Sequence, residues 1–235
     1  GAAADAQGAG VEHSFREYAT NSSWVWLPDM GSENIPPRVF LLSPASLDGV
    51  RAAQLTSPRA RFGAALRYRS PEGVTVGEAF AFMSSLYFRG KIAYARHFAA
   101  PPPELALNTP DDGILVIAPG FGLVPPSWRI TPERMKKLRR TPVDLKNRAY
   151  CRAMREHALQ LRELAPSSHV ILLGSVATGK YVDLLLPVFG DRLLFPREFA
   201  GAGDMKRGGM LLRAVREDRE LEYVTLDATR RRSRA

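Results

Sequence analysis

The groups able to do chemistry in this chain sit just beyond short apolar runs. Asp48 follows Val39-Phe40-Leu41-Leu42, and Glu198 follows Leu193-Leu194-Phe195. A carboxylate in either place could activate a water or stabilise a developing cation. For Asp48 the alternative is structural, capping the helix expected after it. Gly174-Ser-Val-Ala-Thr-Gly179-Lys180 has the first seven positions of a phosphate-binding loop, but Tyr181 stands where a Ser or Thr should reach Mg²⁺. Two other readings fit the same residues: a tight glycine turn, or a helix start holding one phosphate or a base oxygen beside Lys180.

Leu86-Tyr87-Phe88-Arg89-Gly90-Lys91-Ile92-Ala93-Tyr94-Ala95-Arg96 interleaves aromatics with cations. Tyr87 could stack on a base while Arg89 and Lys91 hold phosphates. The competing reading is an amphipathic helix with its cations solvated. Ala202-Gly203-Asp204-Met205-Lys206-Arg207-Gly208-Gly209 reads as a glycine-bounded loop. It could follow a nucleic-acid backbone through Lys206 and Arg207, or wedge Met205 between bases. The four histidines (His13, His97, His157, His169) have no metal-ligand spacing, and Cys151 is the only cysteine. An intrachain disulfide and a Cys-rich zinc site are therefore excluded.

The elements that must position these groups follow a parallel α/β pattern. Val39–Leu42, Ile114–Ile117, Val170–Leu173 and Leu193–Phe195 are uninterrupted apolar runs, which suit strands buried on both faces. Thr75-Val76-Gly77-Glu78 is a capping box opening a helix toward His97, weakened at Gly90. Thr131-Pro132-Glu133 starts another helix. Tyr150, Met154, His157, Leu161 and Leu164 share one helical face. Gly209–Leu212 and Leu221–Val224 read as a terminal β-hairpin. The expected fold is a three-layer α/β domain: a central, mainly parallel four-stranded sheet flanked by helices, with a C-terminal hairpin. Residues 1–23 are expected to be a disordered or appended arm, Ser23–Leu27 an aromatic patch anchoring it, and 24–235 a single domain. In such sheets ligands bind beyond the carboxyl ends of the strands.

The 235 residues are 45% apolar and 24% charged, enough to bury a core and unlike a disordered chain. The formal charge is +9. Residues 127–162 hold eleven cations against three acids, so +8 of it falls there, Lys136, Lys137, Arg139 and Arg140 included. A basic segment between the second and third strands suits a polyanion such as DNA, or else is a solvated helix face. No apolar run approaches the ~18 residues of a membrane span. The first residues carry neither a basic nor an apolar segment of a signal peptide, so a cytoplasmic protein is expected.

Leu41-Leu42-Ser43-Pro44-Ala45-Ser46-Leu47-Asp48-Gly49, Leu172-Leu173-Gly174-Ser175-Val176-Ala177 and Leu194-Phe195-Pro196-Arg197-Glu198 resemble, across residues 38–200, the strand-end motifs of the uracil-DNA glycosylase superfamily. The resemblance implies a four-stranded parallel sheet, with one catalytic motif after the first strand and a second after the last. It implies hydrolysis of an N-glycosidic bond in DNA, with Asp48 and Glu198 catalytic and Ser43, Ser46 and Ser175 binding the base. Arg89, Lys180, Lys206 and Arg207 would hold phosphates around a flipped nucleotide. No metal or organic cofactor is required. A further association is with members that remove bulky modified cytosines, such as glucosylated hydroxymethylcytosine, from phage DNA. The chain departs from the family in both catalytic motifs: Ser43-Pro44-Ala45-Ser46-Leu47-Asp48 replaces a Gly-x-Asp-Pro-like string, and Phe195-Pro196-Arg197 replaces His-Pro-Ser. The usual electrophilic His is thus missing. A non-catalytic nucleic-acid-binding module and a nucleotide-binding enzyme built on Gly174–Lys180 remain the alternatives.

Overall fold

A computed structural model describes residues 36–225, Ser85 excepted. The expected arm at 1–23 and the aromatic patch at Ser23–Leu27 lie outside the described residues.

The expected apolar runs are strands β1 (Arg38–Leu42), β3 (Ile114–Ala118), β6 (His169–Leu173) and β7 (Leu193–Pro196). They pair in parallel: Phe40 with Ile114, Phe40 with Ile171, and Val170 with Leu193. Two antiparallel edge strands, β4 (Gly122–Val124) beside β3 and β8 (Tyr223–Thr225) beside β7, extend this core. The sheet therefore has six strands where four were expected, in the order β4-β3-β1-β6-β7-β8. A separate ribbon pairs β2 (Val74–Thr75) with β5 (Arg129–Ile130).

Alternation within each apolar run feeds two cores, one per sheet face. Phe40, Leu42, Ile114, Val116, Ile171 and Leu173 face one side. It is covered by α1 (Val50–Thr56), α2 (Gly63–Arg69), α3 (Val76–Ser84), α4 (Leu86–Phe98), α5 (Pro132–Arg140) and α8 (Asp204–Arg216). Val39, Leu41, Leu115, Ile117, Val170 and Leu172 face the other, under α6 (Arg148–Leu164) and α7 (Val182–Phe189). The three-layer expectation holds because both sheet faces are apolar and each needs a cover.

Capping signals place several helices. Thr75 Oγ1 accepts from Glu78 N at 3.2 Å, and Thr131 Oγ1 from Arg134 N at 3.4 Å. The stretch opened by Thr75 is helical on both sides of Ser85, as α3 and α4. On α6, Tyr150, Met154 and Leu161 are buried as their spacing requires, and half-buried His157 meets Leu123 of β4 through Nδ1.

Two expectations are corrected. Residues 204–209 are the first turns of α8 rather than a loop, and Met210-Leu211-Leu212 continues that helix. The hairpin expected of Gly209–Leu212 and Leu221–Val224 does not form, since the first segment is helical and β8 pairs with β7. The apolar triplet invites a strand reading, but the buried set Arg207, Gly208, Leu211 and Ala214 has helical spacing. Gly208 also has a packing reason to be glycine: a Cβ there would stand 2.9 Å from Tyr87 Cα, and one on Gly90 would stand 2.9 Å from the Gly208 carbonyl oxygen. The two glycines let α4 and α8 cross backbone to backbone.

Candidate functional site

Counted in chain order, the four parallel strands lie 2-1-3-4 across the sheet. The chain leaves β1 toward one side, to β3, and then returns to the other, to β6. Such a switch point opens a crevice beyond the carboxyl ends of the two strands that flank it. Here those ends are Ser43 and Gly174, and they touch: a Cβ on Gly174 would lie 3.0 Å from that of Ser43. Ser43 N donates to Leu173 O at 3.2 Å.

The same edge gathers other elements. Tyr150, on the first turn of α6, donates its hydroxyl to Lys180 O at 2.8 Å, bringing the start of α6 beside the loop after β6. Thr141, just past α5, packs on Gly120 after β3. Arg139 Nη2 donates to Thr56 Oγ1 of α1 at 3.3 Å. The basic stretch from α5 into α6 therefore borders the strand ends. Lys136, Lys137, Arg139, Arg140, Lys146, Arg148 and Arg152 are exposed along it.

Beneath the crevice lies a buried cluster. Lys91 is 1% exposed, and its ammonium donates to the Ser43 carbonyl oxygen at 2.5 Å and to Ser43 Oγ at 2.9 Å. It also sits over the rings of Tyr87 and Phe88, at 4.4 and 4.9 Å from their centroids. Desolvation pulls the Lys91 ammonium down to about 7, against the attraction of Asp204 and with the repulsion of Arg207. Arg207, 9% exposed, spends Nε and Nη2 on the Phe199 carbonyl oxygen at 3.2 and 3.1 Å. Its Nη1 stands 3.6 Å from the exposed Asp204 carboxylate. The Tyr87 hydroxyl is buried beside Arg207, close enough to feel its guanidinium but without a well-formed hydrogen bond among the described residues. Burial pushes that phenol up to about 12, Arg207 pulling the other way. The Tyr87 ring meets Phe199 edge-on at 6.3 Å. Tyr181 is buried close by, its phenol raised first by desolvation and then by Tyr87 and Asp204.

This arrangement sorts the residues named from sequence. Lys91 and Arg207 cannot hold phosphates as solvated cations, because both are interior; the helical phase of Lys91 puts it in the apolar stripe with Tyr87, Phe88 and Ile92. Tyr87 is a core ring rather than an open stacking platform, and Ser43 is buried with Lys91 as its partner. Ser46, Asp48, Arg89, Glu198 and Lys206 are exposed, with Ser175 and Lys180 half-buried. Asp48 does not cap α1; Gly49 occupies that position with no side-chain cap. Glu198 lies in the single 3-10 turn Arg197–Phe199 directly after β7. Phe199 and Tyr181 complete the buried cluster, with Asp204 exposed at its rim; the sequence pointed to Tyr181 only as a departure from the phosphate-loop pattern and gave Phe199 and Asp204 no role. The apolar Phe199 beside Glu198 was the only local hint.

The loop Gly174–Lys180 makes a poor triphosphate cradle. The Asp183 carboxylate lies against Gly179, where a Cβ would stand 2.7 Å from Asp183 Oδ2, and Tyr181 is buried rather than offered to a metal. A phosphate at the start of α7 would meet this carboxylate. Among the described residues no cluster of three or more His, Cys, Asp or Glu could hold a metal ion, and no helix is long and apolar enough to cross a membrane. An apolar cavity of about 140 Å³ opens at the amino-terminal end of β3, lined by Leu105, Leu107, Ile114 and Leu164. It lies away from the strand ends that carry the polar groups.

Compared with protein-family models, curated proteins and solved structures, the chain matches none.

Proposed function

We propose that this protein is a DNA glycosylase that hydrolyses the N-glycosidic bond of a modified or damaged base, leaving an abasic site. One observation carries the reading: the strand ends that bear Asp48, Ser175 and Glu198 open on the edge that the basic α5–α6 stretch borders. The reaction asks little of a protein. Its transition state spreads positive charge over the sugar while negative charge grows on the departing base. An exposed carboxylate, Asp48 or Glu198, orients a water and offsets the sugar's positive charge. Ser46, Ser175 and nearby backbone N–H groups contact the base. Lys136, Lys137 and Arg140 hold the strand by its phosphates, and Arg139 does so from its contact with α1. The proposed substrate is a base with a bulky modification, such as glucosylated hydroxymethylcytosine in phage DNA.

The test is mass spectrometry of bases released from modified phage DNA, alongside alkali-induced strand scission. Release by the wild type, lost in Asp48→Asn or Glu198→Gln with folding intact, is the expected result. No release across a panel of modified DNAs, from protein shown to be folded and DNA-bound, overturns the reading. That outcome leaves a non-catalytic binding module, which the solvent-facing Lys136, Lys137 and Arg140 also favour.

A further inference from the structure

The interior groups under the strand ends have a purpose that packing does not supply. Two cations, Lys91 and Arg207, lie beside a buried phenol that makes no well-formed hydrogen bond, and no buried carboxylate among the described residues neutralises them. Such a cluster is costly to keep, since each buried charge is desolvated and the Tyr87 hydroxyl forgoes a hydrogen bond. The one carboxylate that acts on every member is Asp204, at the first turn of α8. It stands 3.6 Å from Arg207 and its charge is felt at Lys91, Tyr87 and Tyr181, yet its side chain is 72% exposed. Asp204 thus marks, from the rim, the place where negative charge is wanted.

We propose that Tyr87, Lys91 and Arg207 form an oxyanion-binding site at the rim where Asp204 stands, with the Tyr87 hydroxyl as the direct donor. The ligand group is a compact anionic oxygen, either of a phosphate or of a carboxylate carried on a planar heterocycle. The groups facing Lys91 are Ser43 from the end of β1, Tyr87 and Phe88 from its own helix, and Asp204 and Arg207 from α8. None is a buried anion, so an arriving oxyanion supplies the missing counter-charge. Because Lys91 titrates near neutrality, ligand binding at pH 7 draws in about half a proton. The site does not depend on base excision; any enzyme or binding module with this crevice would have it.

The experiment is calorimetric titration of the full chain at pH 7 in two buffers of different ionisation enthalpy. Inorganic phosphate is the probe in one arm and orotate, a pyrimidine with a fixed carboxylate, in the other. Saturable binding of either probe is expected, with proton uptake in the orotate arm, where the probe itself does not titrate, and the arm that binds identifies the source of the oxyanion. Asp204→Asn tightens it on the order of tenfold by removing a competing charge. Tyr87→Phe and Lys91→Met weaken it at least tenfold while remaining folded by circular dichroism. Failure of both probes to bind wild type and Asp204→Asn overturns the proposal. So does binding indifferent to Tyr87→Phe, or orotate binding that takes up no proton. Oxyanion binding without base release refutes only the glycosylase reading, and base release without oxyanion binding refutes only this one.

Discussion

Replacing Lys91 with methionine should stabilise this protein below neutral pH and destabilise it in alkali. Burial lowers the ammonium from 10.5 to about 7 in the folded state, so between those limits the unfolded chain binds the extra proton. Stability of the wild type then rises with pH across the window from about 7 to 10.5, at about 1.4 kcal/mol per pH unit. Below pH 7 the full cost applies, on the order of 5 kcal/mol for a shift of this size. Methionine fills much of the same space without a charge. It loses the bonds to the Ser43 carbonyl and hydroxyl, and the carbonyl is left buried, which costs about 1–3 kcal/mol at every pH. The variant should therefore be more stable by about 2–4 kcal/mol at pH 6, lose that advantage as pH rises, and be less stable by about 1–3 kcal/mol above pH 10.5. Urea denaturation of both proteins at pH 6, 8 and 9.5 gives the difference at each pH. A difference that stays constant across that range would mean that Lys91 keeps its ordinary basicity inside the fold, and the account of the buried cluster would fail.

Gly208→Ala should cost about 1–3 kcal/mol and lower the melting temperature, since its Cβ would press on the Tyr87 backbone, whereas Gly209→Ala meets nothing within 4 Å and should gain about 0.5–1 kcal/mol in helix propensity; equal melting points would contradict the close backbone approach of α4 and α8. Tyr94→Phe should cost about 1–3 kcal/mol in urea denaturation, because the Tyr94 hydroxyl accepts from Leu221 N at 2.9 Å and lies 2.7 Å from the Tyr223 hydroxyl, tying the edge strand β8 to α4. Replacing Lys136, Lys137 and Arg140 together with alanine should flatten the salt dependence of DNA binding, the log–log slope falling by roughly 0.9 for each phosphate that is no longer neutralised. Arg216→Ala, at the far end of α8, should leave that slope unchanged; equal slopes for both variants would remove the α5–α6 surface from the interface.

Apolar continuity makes the parallel core legible in the sequence. A run such as Val170–Leu173 has no polar alternation because β6 is buried on both faces, and the same logic identifies β1, β3 and β7. The edge strands are harder. Gly122–Val124 and Tyr223–Thr225 are three residues each, too short for a period, and their identity depends on pairing with β3 and β7 rather than on their own composition. The start of α8 escapes the sequence for a related reason. Gly203, Gly208 and Gly209 suggest a loop by propensity, yet Gly208 is needed for the approach to Tyr87. Tertiary packing overrides the local signal.

The cations show the same limit more sharply, and they bear on function. In sequence, Lys91 and Lys137 look alike, each a lysine in a helical segment with other cations close by. The structure separates them: Lys137 is exposed over the Phe121 ring at 4.3 Å, while Lys91 is interior beneath the strand ends. A cation of the first kind adds to a field that draws in a polyanion and is screened by salt. A cation of the second kind is poorly screened, perturbed in its proton affinity, and acts over a few ångströms. The helical phase of Lys91, i+4 from Tyr87 and one residue before Ile92, together with its aromatic neighbours distinguishes the two in the sequence. The net charge of +9 thus conceals two devices. On the proposed reading, the exposed stretch bordering the crevice sets where a polyanion lies, and the buried pair Lys91 and Arg207 sets what happens to an anionic oxygen that enters it.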